Sequence, residues 1–457
     1  MGQAFKALDN RNYRLYFSGQ LVSVVGNGMQ LMVQSWLVYQ LTHSAYWLGF
    51  VSVCSQLPAF FASPLAGVIA DHKNRRAILM WVQIIGMLQA FTLAILVYTG
   101  KIHFWEIAVL SVVLGILNAF EITTRHAFSV DLVGKKDLGS AIALNSATIN
   151  ISRVLGPAVG GLLLIPLGEA GCFVVNGMSY LAVIFCLIMM RLDPQGKKIR
   201  LGDSWEHLGD AVRYLKQTPT ILKFMGLATF ISFVGFSYSV LLPIVAKEVL
   251  HGDAGTLAIL SASAGIGAIT GAIVLGTVEL TDIYKKIFTY VWLMGCGFVI
   301  LGFSNMLWLS AIAMFFIGCF MMGAFPIINS SIQSVVEDSM RARVMSLYSM
   351  TFFGATPLGS LIVGASPIAQ EPRKSPSAPA LSACPLGYWH LPCLRIWVHL
   401  HLGARIGTLR SKSRNHYENL PCHRRGRIYR SAISGIFESQ RHSCSQCGSP
   451  RLFSGSH

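Results

Sequence analysis

Stretches of roughly 20 apolar residues recur along most of this chain, each long enough to cross about 30 Å of hydrocarbon as a helix. In lipid a backbone must satisfy its own hydrogen bonds, so only helices and closed barrels span a bilayer. The runs lack the short alternation of an outer-membrane barrel. Composition agrees: of 457 residues, 53% are hydrophobic and 12% charged, and mean hydropathy is +0.55. A soluble domain carries about 25% charged residues. An ordinary soluble enzyme is therefore excluded, as is a disordered or collagen-like chain.

The runs predict membrane helices over 15–41, 46–70, 77–99, 104–127, 140–165, 171–190, 221–245, 255–279, 287–304, 307–330 and 345–365. The expected fold is an all-α polytopic membrane protein with two helix bundles, holding six and five recognisable transmembrane helices. Its divisions are a six-helix bundle over 1–190, a cytoplasmic linker over 191–220, an incomplete five-helix bundle over 221–365 and a tail over 366–457. Within the linker, Trp205, Leu208, Val212 and Leu215 recur at helical spacing. They predict a short amphipathic helix on the membrane surface, capped by Asp203 or Ser204 and ended by Thr218 and Pro219.

The net charge of +16 invites a nucleic-acid reading, but its distribution up to residue 365 argues against one. Lys and Arg cluster before the first run (Lys6, Arg11, Arg14) and after the second (Lys73, Arg75, Arg76), and so on at every other connection. The intervening loops carry mainly Lys101 and Lys247. This alternation places the N-terminus in the cytoplasm. The first run is too long for a cleavable signal peptide. Five cysteines lie in apolar runs and five beyond residue 365, with no disulfide framework implied.

After Ala365 the composition changes. Residues 366–457 hold no Asp, one Val and 11 Arg, with 8 of the 17 Pro and 7 of the 13 His. The mixture is that of an out-of-frame reading of a GC-rich gene, so a frameshifted, disordered tail and a missing twelfth helix are expected. Cys444 and Cys447 form a lone Cys-x-x-Cys pair, too weak a signal for a metal site.

Polar residues inside apolar helices mark the candidate site, because each needs a partner or water. Gln20, Ser23, Asn27, Gln30 and Gln34 step by three and four along the first run and so share a face. The fourth run carries Ser111, Asn118, Glu121 and Arg125; the seventh Thr229, Ser232, Phe236 and Ser239; the tenth Asn329 and Gln333. Four polar-faced helices, two per half, suit a central water-filled pathway for a small molecule. The competing reading is polar glue between packed helices. Arg153 falls near the bilayer midplane. It is expected either to approach Glu121 or to line a wet cavity without a fixed partner. The ends of the fourth and tenth runs share a faint repeat, Ala119-Phe120 and Ala324-Phe325, as duplicated halves would.

The second and third runs are joined by Gly67-Val-Ile-Ala-Asp71-His-Lys-Asn-Arg75-Arg76, and the fifth contains Arg153-Val-Leu-Gly156-Pro157-Ala-Val-Gly160-Gly161. Gly67 would permit close backbone approach, and Asp71 is expected to meet the positive end of a helix dipole. These segments resemble the loop signature and the antiporter signature of the major facilitator superfamily. Residues 5–17, with Arg341-Ala-Arg343-Val, resemble its enterobactin-exporter-like and macrolide-efflux-like branch. The resemblance covers about residues 5–365. It implies two six-helix bundles, alternating access and proton-driven export of small amphipathic molecules, drug-like or siderophore-like. It assigns Asp71, Arg75 and Arg76 to stabilising one access state, and the Gly-Pro kink to limiting leak.

The resulting expectation is a multi-pass transporter of a bacterial cytoplasmic membrane, not an enzyme. It would work as a monomer in the lipid bilayer, with a small-molecule substrate, no nucleic acid, no metal and no cofactor, driven by a proton gradient. No Gly-x-x-x-x-Gly-Lys-(Ser/Thr) loop occurs to bind ATP. The alternatives are an importer on the same fold and an inactive, truncated transporter.

Overall fold

The computed structural model describes residues 3–134, 137–191, 213–275, 283–337 and 340–365, all within one compact unit, Met1–Trp389. The described residues are helical almost throughout. After a short 3-10 turn, Gln3–Asp9, come α1 (Arg11–Thr42), α2 (Ala45–His72), α3 (Arg75–Tyr98), α4 (Phe104–Val133) and α5 (Leu138–Met189). The second half holds α6 (Pro219–Gly235) and α7 (Tyr238–Ile244), which runs into a π-turn at Val245–Val249. Then follow α8 (Ala254–Thr270), with a second π-turn at Gly271–Leu275, α9 (Ile283–Phe303), α10 (Leu307–Val335) and α11 (Arg341–Ala365).

Among the described residues nine helices are long and apolar enough to cross a membrane. One of them, α5, has 52 residues. As a straight rod it would measure about 78 Å, more than twice the hydrocarbon thickness. Gly168, at φ 65°, turns the chain there, and glycine occupies that left-handed region without steric cost. The arm before Gly168 packs Gly156 against Gly28, and the arm after it packs Asn176 and Ser179 against Gly26. Both arms thus lie beside α1, and α5 supplies the fifth and sixth predicted crossings. With α11, 25 residues long, the eleven predicted spans are accounted for.

Large apolar side chains, among them Leu162, Ile165, Phe185, Trp308 and Ile312, face outward. That is the reverse of a soluble surface and marks the lipid-facing belt.

The two halves repeat the same pairings. In the first, α1 packs on α5, α2 on α4 and α3 on α4; in the second, α6 packs on α11, α8 on α10 and α9 on α10. The halves meet along two reciprocal seams, α2 with α11 and α5 with α8. Glycines let the backbones close up there. Gly49 faces the Ser360 carbonyl, Gly364 the Ala45 carbonyl, Gly161 the Ala258 methyl and Gly265 the Arg153 carbonyl.

Of the predicted linker helix, residues 213–217 are described and helical, with Leu215 buried. The helix stops at Gln217, and Pro219 opens α6. Trp205, Leu208 and Val212 lie outside the described residues, as does the predicted tail over 366–457.

Candidate functional site

The polar stripe of α1 is spent inside the first half. The Gln20 amide donates to Glu121 Oε1 at 2.5 Å, and Gln34 donates to the Ser111 hydroxyl at 2.7 Å. Gln30 donates to Gln89 at 3.1 Å while accepting from Asn176 at 2.6 Å. Asn27 accepts from the Tyr180 hydroxyl at 2.6 Å. One face of α1 is therefore bonded to α3, α4 and the second arm of α5. Gln20, Gln30 and Gln34 are buried, Asn27 is half-buried, and Ser23 is buried with no hydroxyl partner among the described residues. Each such bond contributes about 1 kcal/mol net, but stranding one member costs about 1–3 kcal/mol. Cross-linking of this kind makes the first half a keyed frame.

Glu121 and Arg125 lie one turn apart on α4, 3.7 Å from each other and both buried. Gln20 supplies the carboxylate's second partner. Asn118, three residues earlier, is half-buried. Nearby on α1, Tyr16 is buried with its ring edge-on to Phe128 at 5.4 Å.

Arg153 does not approach Glu121. Its side chain leaves the first half altogether: Nη1 donates to Met322 Sδ at 2.8 Å, and Cζ stands 5.7 Å from the Phe236 ring centre. The reason is the helix face on which it sits. Its neighbour Ser152 faces α1, donating to the Val24 carbonyl at 2.6 Å. Arg153, one residue on, is turned about 100° toward the second half. It lies 15 residues after Leu138 and 15 before Gly168, at the middle of its arm. A charge at that depth costs about 2.5–3.5 kcal/mol on insertion scales. The Phe236 face returns about 0.5–2 kcal/mol of that.

The fifth-run glycines face in two directions. A Cβ at Gly156 would lie 2.7 Å from the Gly28 backbone, and one at Gly160 would meet Met32 Sδ at 3.3 Å, both on α1. Gly161 instead faces Ala258 across the seam. Pro157 lacks the N–H that would bond the Arg153 carbonyl four residues back. That freed carbonyl is the one Gly265 packs against; a Cβ there would lie 2.6 Å from the oxygen.

At the loop between α2 and α3, Arg75 binds Asp131 of α4 at 2.8 and 2.9 Å and the carbonyls of Ala70 and Ala127. Arg76 donates to the Ile188 carbonyl at 3.1 Å. One expectation, the close backbone approach at Gly67, is corrected here. Asp71 belongs to the last turn of α2, and α3 is capped by Asn74, which accepts from the backbone N–H of Arg76 and Ala77. Asp71's side chain lies outside the described residues. Gly67 is not held in a tight contact, since a Cβ there would meet only the Thr123 methyl, at 3.9 Å.

Among the described residues, the second half shows fewer side-chain bonds between helices. Asn329 and Gln333 bond each other along α10, with Gln333 exposed and Asn329 half-buried beside the Tyr348 hydroxyl. Ser232 is buried, whereas Thr229 and Ser239 are exposed. Phe236 and Phe325 form an aromatic wall, their rings 6.1 Å apart. A bond between halves comes from Tyr39, whose hydroxyl donates to Glu248 at 2.9 Å.

Gln89, Asn176, Tyr180, Tyr39 and Glu248 were not singled out by periodicity. Asn176, with Ser179 and Tyr180 three and four residues on, carries a usable signal, since an amide in a membrane helix needs a partner. Gln89 has only Thr92 at helical spacing within one turn, and that hydroxyl is spent on the Leu88 carbonyl.

The description of transmembrane secretion effectors matches residues 3–385, running past Ala365. The staphyloferrin A transporter of Staphylococcus aureus is 28% identical over 362 residues, covering 77% of this chain and 88% of that protein. The multidrug efflux pump Tap of Mycolicibacterium fortuitum is 23% identical, over 75% and 86% of the two chains. Macrolide efflux protein A of Streptococcus pyogenes is 22% identical, over 77% and 89%. Among solved structures, a bacterial homologue of the human lysosomal transporter Spinster, in an inward-facing conformation, superposes with a TM-score of 0.62 at 16% identity over 79% and 82%. The nucleoside transporter NupG does so with a TM-score of 0.60 at 14% identity over 86% and 99%.

Proposed function

The chain belongs to the transmembrane secretion effector family of major facilitator transporters, and from that premise we propose that it exports small amphipathic molecules by alternating access. It does so across a bacterial cytoplasmic membrane, with its N-terminus in the cytoplasm, working as a monomer and driven by a proton gradient. The observation that carries this reading is the reciprocity of the two seams, α2 with α11 and α5 with α8. Two similar halves joined this way can rock about a fixed centre. The contacts at Gly49, Gly161, Gly364 and Tyr39 fall on the half of the bundle away from the Arg75 loop. That arrangement supports a state closed outside and facing the cytoplasm, from which an exporter loads. The names of the efflux relatives support the direction.

Inverted membrane vesicles test it. With a proton gradient imposed, a macrolide or staphyloferrin A should accumulate inside, and a protonophore should abolish the accumulation. Uptake confined to right-side-out vesicles would make the chain an importer. No transport in either orientation would mark it as inactive.

A further inference from the structure

Arg153 sits at the middle of its helix arm, where the two halves face each other, and no carboxylate pairs with it among the described residues. Its contacts are a thioether, Met322 Sδ at 2.8 Å, and the face of Phe236 at 5.7 Å; the polar group beside it is the Tyr238 hydroxyl. A thioether is a weak acceptor and a guanidinium has five N–H donors, so most of its bonding capacity is unspent. Glu121 cannot supply the missing anion, because Arg125 and Gln20 already hold it. Arg125 and Glu121 cancel each other, which leaves Arg153 as one net positive charge in the middle of the bundle. Around it, Phe236, Phe325 and Met322 form an apolar wall of rings and a deformable side chain.

Resting on the transporter reading above, we infer that the solute is an organic anion with an apolar body, whose acidic group pairs with Arg153. A planar guanidinium matches a carboxylate with two parallel hydrogen bonds. The Phe236 face would pack against the rest of the molecule. A half-buried cation at the middle of the helix arm, without a carboxylate partner among the described residues, is then an unfilled half of an ion pair, and the solute completes it when it binds. Loading neutralises the centre of the membrane, which is the condition under which the halves can close around it at least cost.

The test is binding to purified protein in phosphatidylcholine nanodiscs, where the lipid brings no net negative charge. The probes are matched sets differing only in charge: naphthylacetic acid, its methyl ester and naphthylmethylamine, with equivalent sets built on two larger ring systems. In the parent protein the acid should bind at least tenfold more tightly than the ester or the amine. Arg153→Met should bring the three within about threefold, and Arg153→Lys should retain a preference for the acid. Thermal unfolding of each variant checks that it is folded. Equal binding across charges, preference for the amine, no binding of any set, or an acid preference that survives Arg153→Met would each overturn the inference. Charge-blind binding alongside intact export in inverted vesicles would overturn this inference alone and leave the transporter reading standing.

Discussion

The two halves of this protein have similar helix pairings and both use close glycine contacts, such as Gly115 on the Ser55 carbonyl and Gly318 on the Ala264 carbonyl, but the first adds a set of polar bridges. In the first half, amide side chains bridge the helices: Gln20 to Glu121, Gln30 to Gln89 and Asn176, Gln34 to Ser111. In the second, glycines bring α8 and α10 into backbone contact, Gly267 facing the Phe315 carbonyl, Gly271 the Cys319 carbonyl and Gly318 the Ala264 carbonyl. Met294, Met314, Met321, Phe298 and Phe325 fill the core around them. Hydrogen bonds are directional and fix one register. Methionine packing is adaptable, and glycine contacts demand closeness more than register. In the first half directional bonds therefore specify which helix faces meet, and in the second close glycine contacts and methionine packing fill that part.

The largest effect should come from crowding the glycine contact. Gly267→Leu places side-chain atoms where the Phe315 carbonyl and the Cys319 backbone stand, and should cost about 3 kcal/mol or more. Size-exclusion profiles should show little folded protein. Gly226→Leu, at a position with nothing within 4 Å, should leave the profile unchanged. Equal tolerance at both positions would break the account of the second half.

Next comes the amide frame. Gln30→Leu strands Asn176 and Gln89 together and should cost about 2–3 kcal/mol, read as a lowered Tm. Adding Gln89→Leu should recover part of the loss, since removing both partners costs less than stranding one. A double variant less stable than the sum of the singles would refute the frame. By contrast, Met314→Leu in the buried second-half core should cost less than about 1.5 kcal/mol, as volume-conserving swaps do. A larger loss there than at Gln30 would reverse the comparison.

The smallest effect concerns a bond that ties one half to the other, from Tyr39 to Glu248. Tyr39→Phe removes one hydrogen bond to Glu248, about 1 kcal/mol, or roughly a fivefold shift in a two-state balance. Folding should be unaffected. Labelling of a cysteine introduced at His43, read from the outer side, should rise by about that factor; an unchanged rate would remove Tyr39 from the seam.

Much of the architecture follows from the amino-acid sequence alone. Run lengths set where helices cross, because lipid leaves the backbone no other way to satisfy its hydrogen bonds. The three-and-four spacing from Gln20 to Gln34 put all five residues on one face, since a helix turns every 3.6 residues. The glycines and proline after Arg153 stood out only through their resemblance to a family signature. What periodicity cannot supply is which neighbour a face meets. Tertiary packing turned the α1 stripe toward Gln89, Asn176 and Tyr180, and turned Arg153 away from Glu121 toward Met322 and Phe236. It also split the glycine motif, giving Gly156 to α1 and Gly161 to the seam. A helix's face is a local property of one segment, whereas its partner depends on where every other helix can pack at the same time.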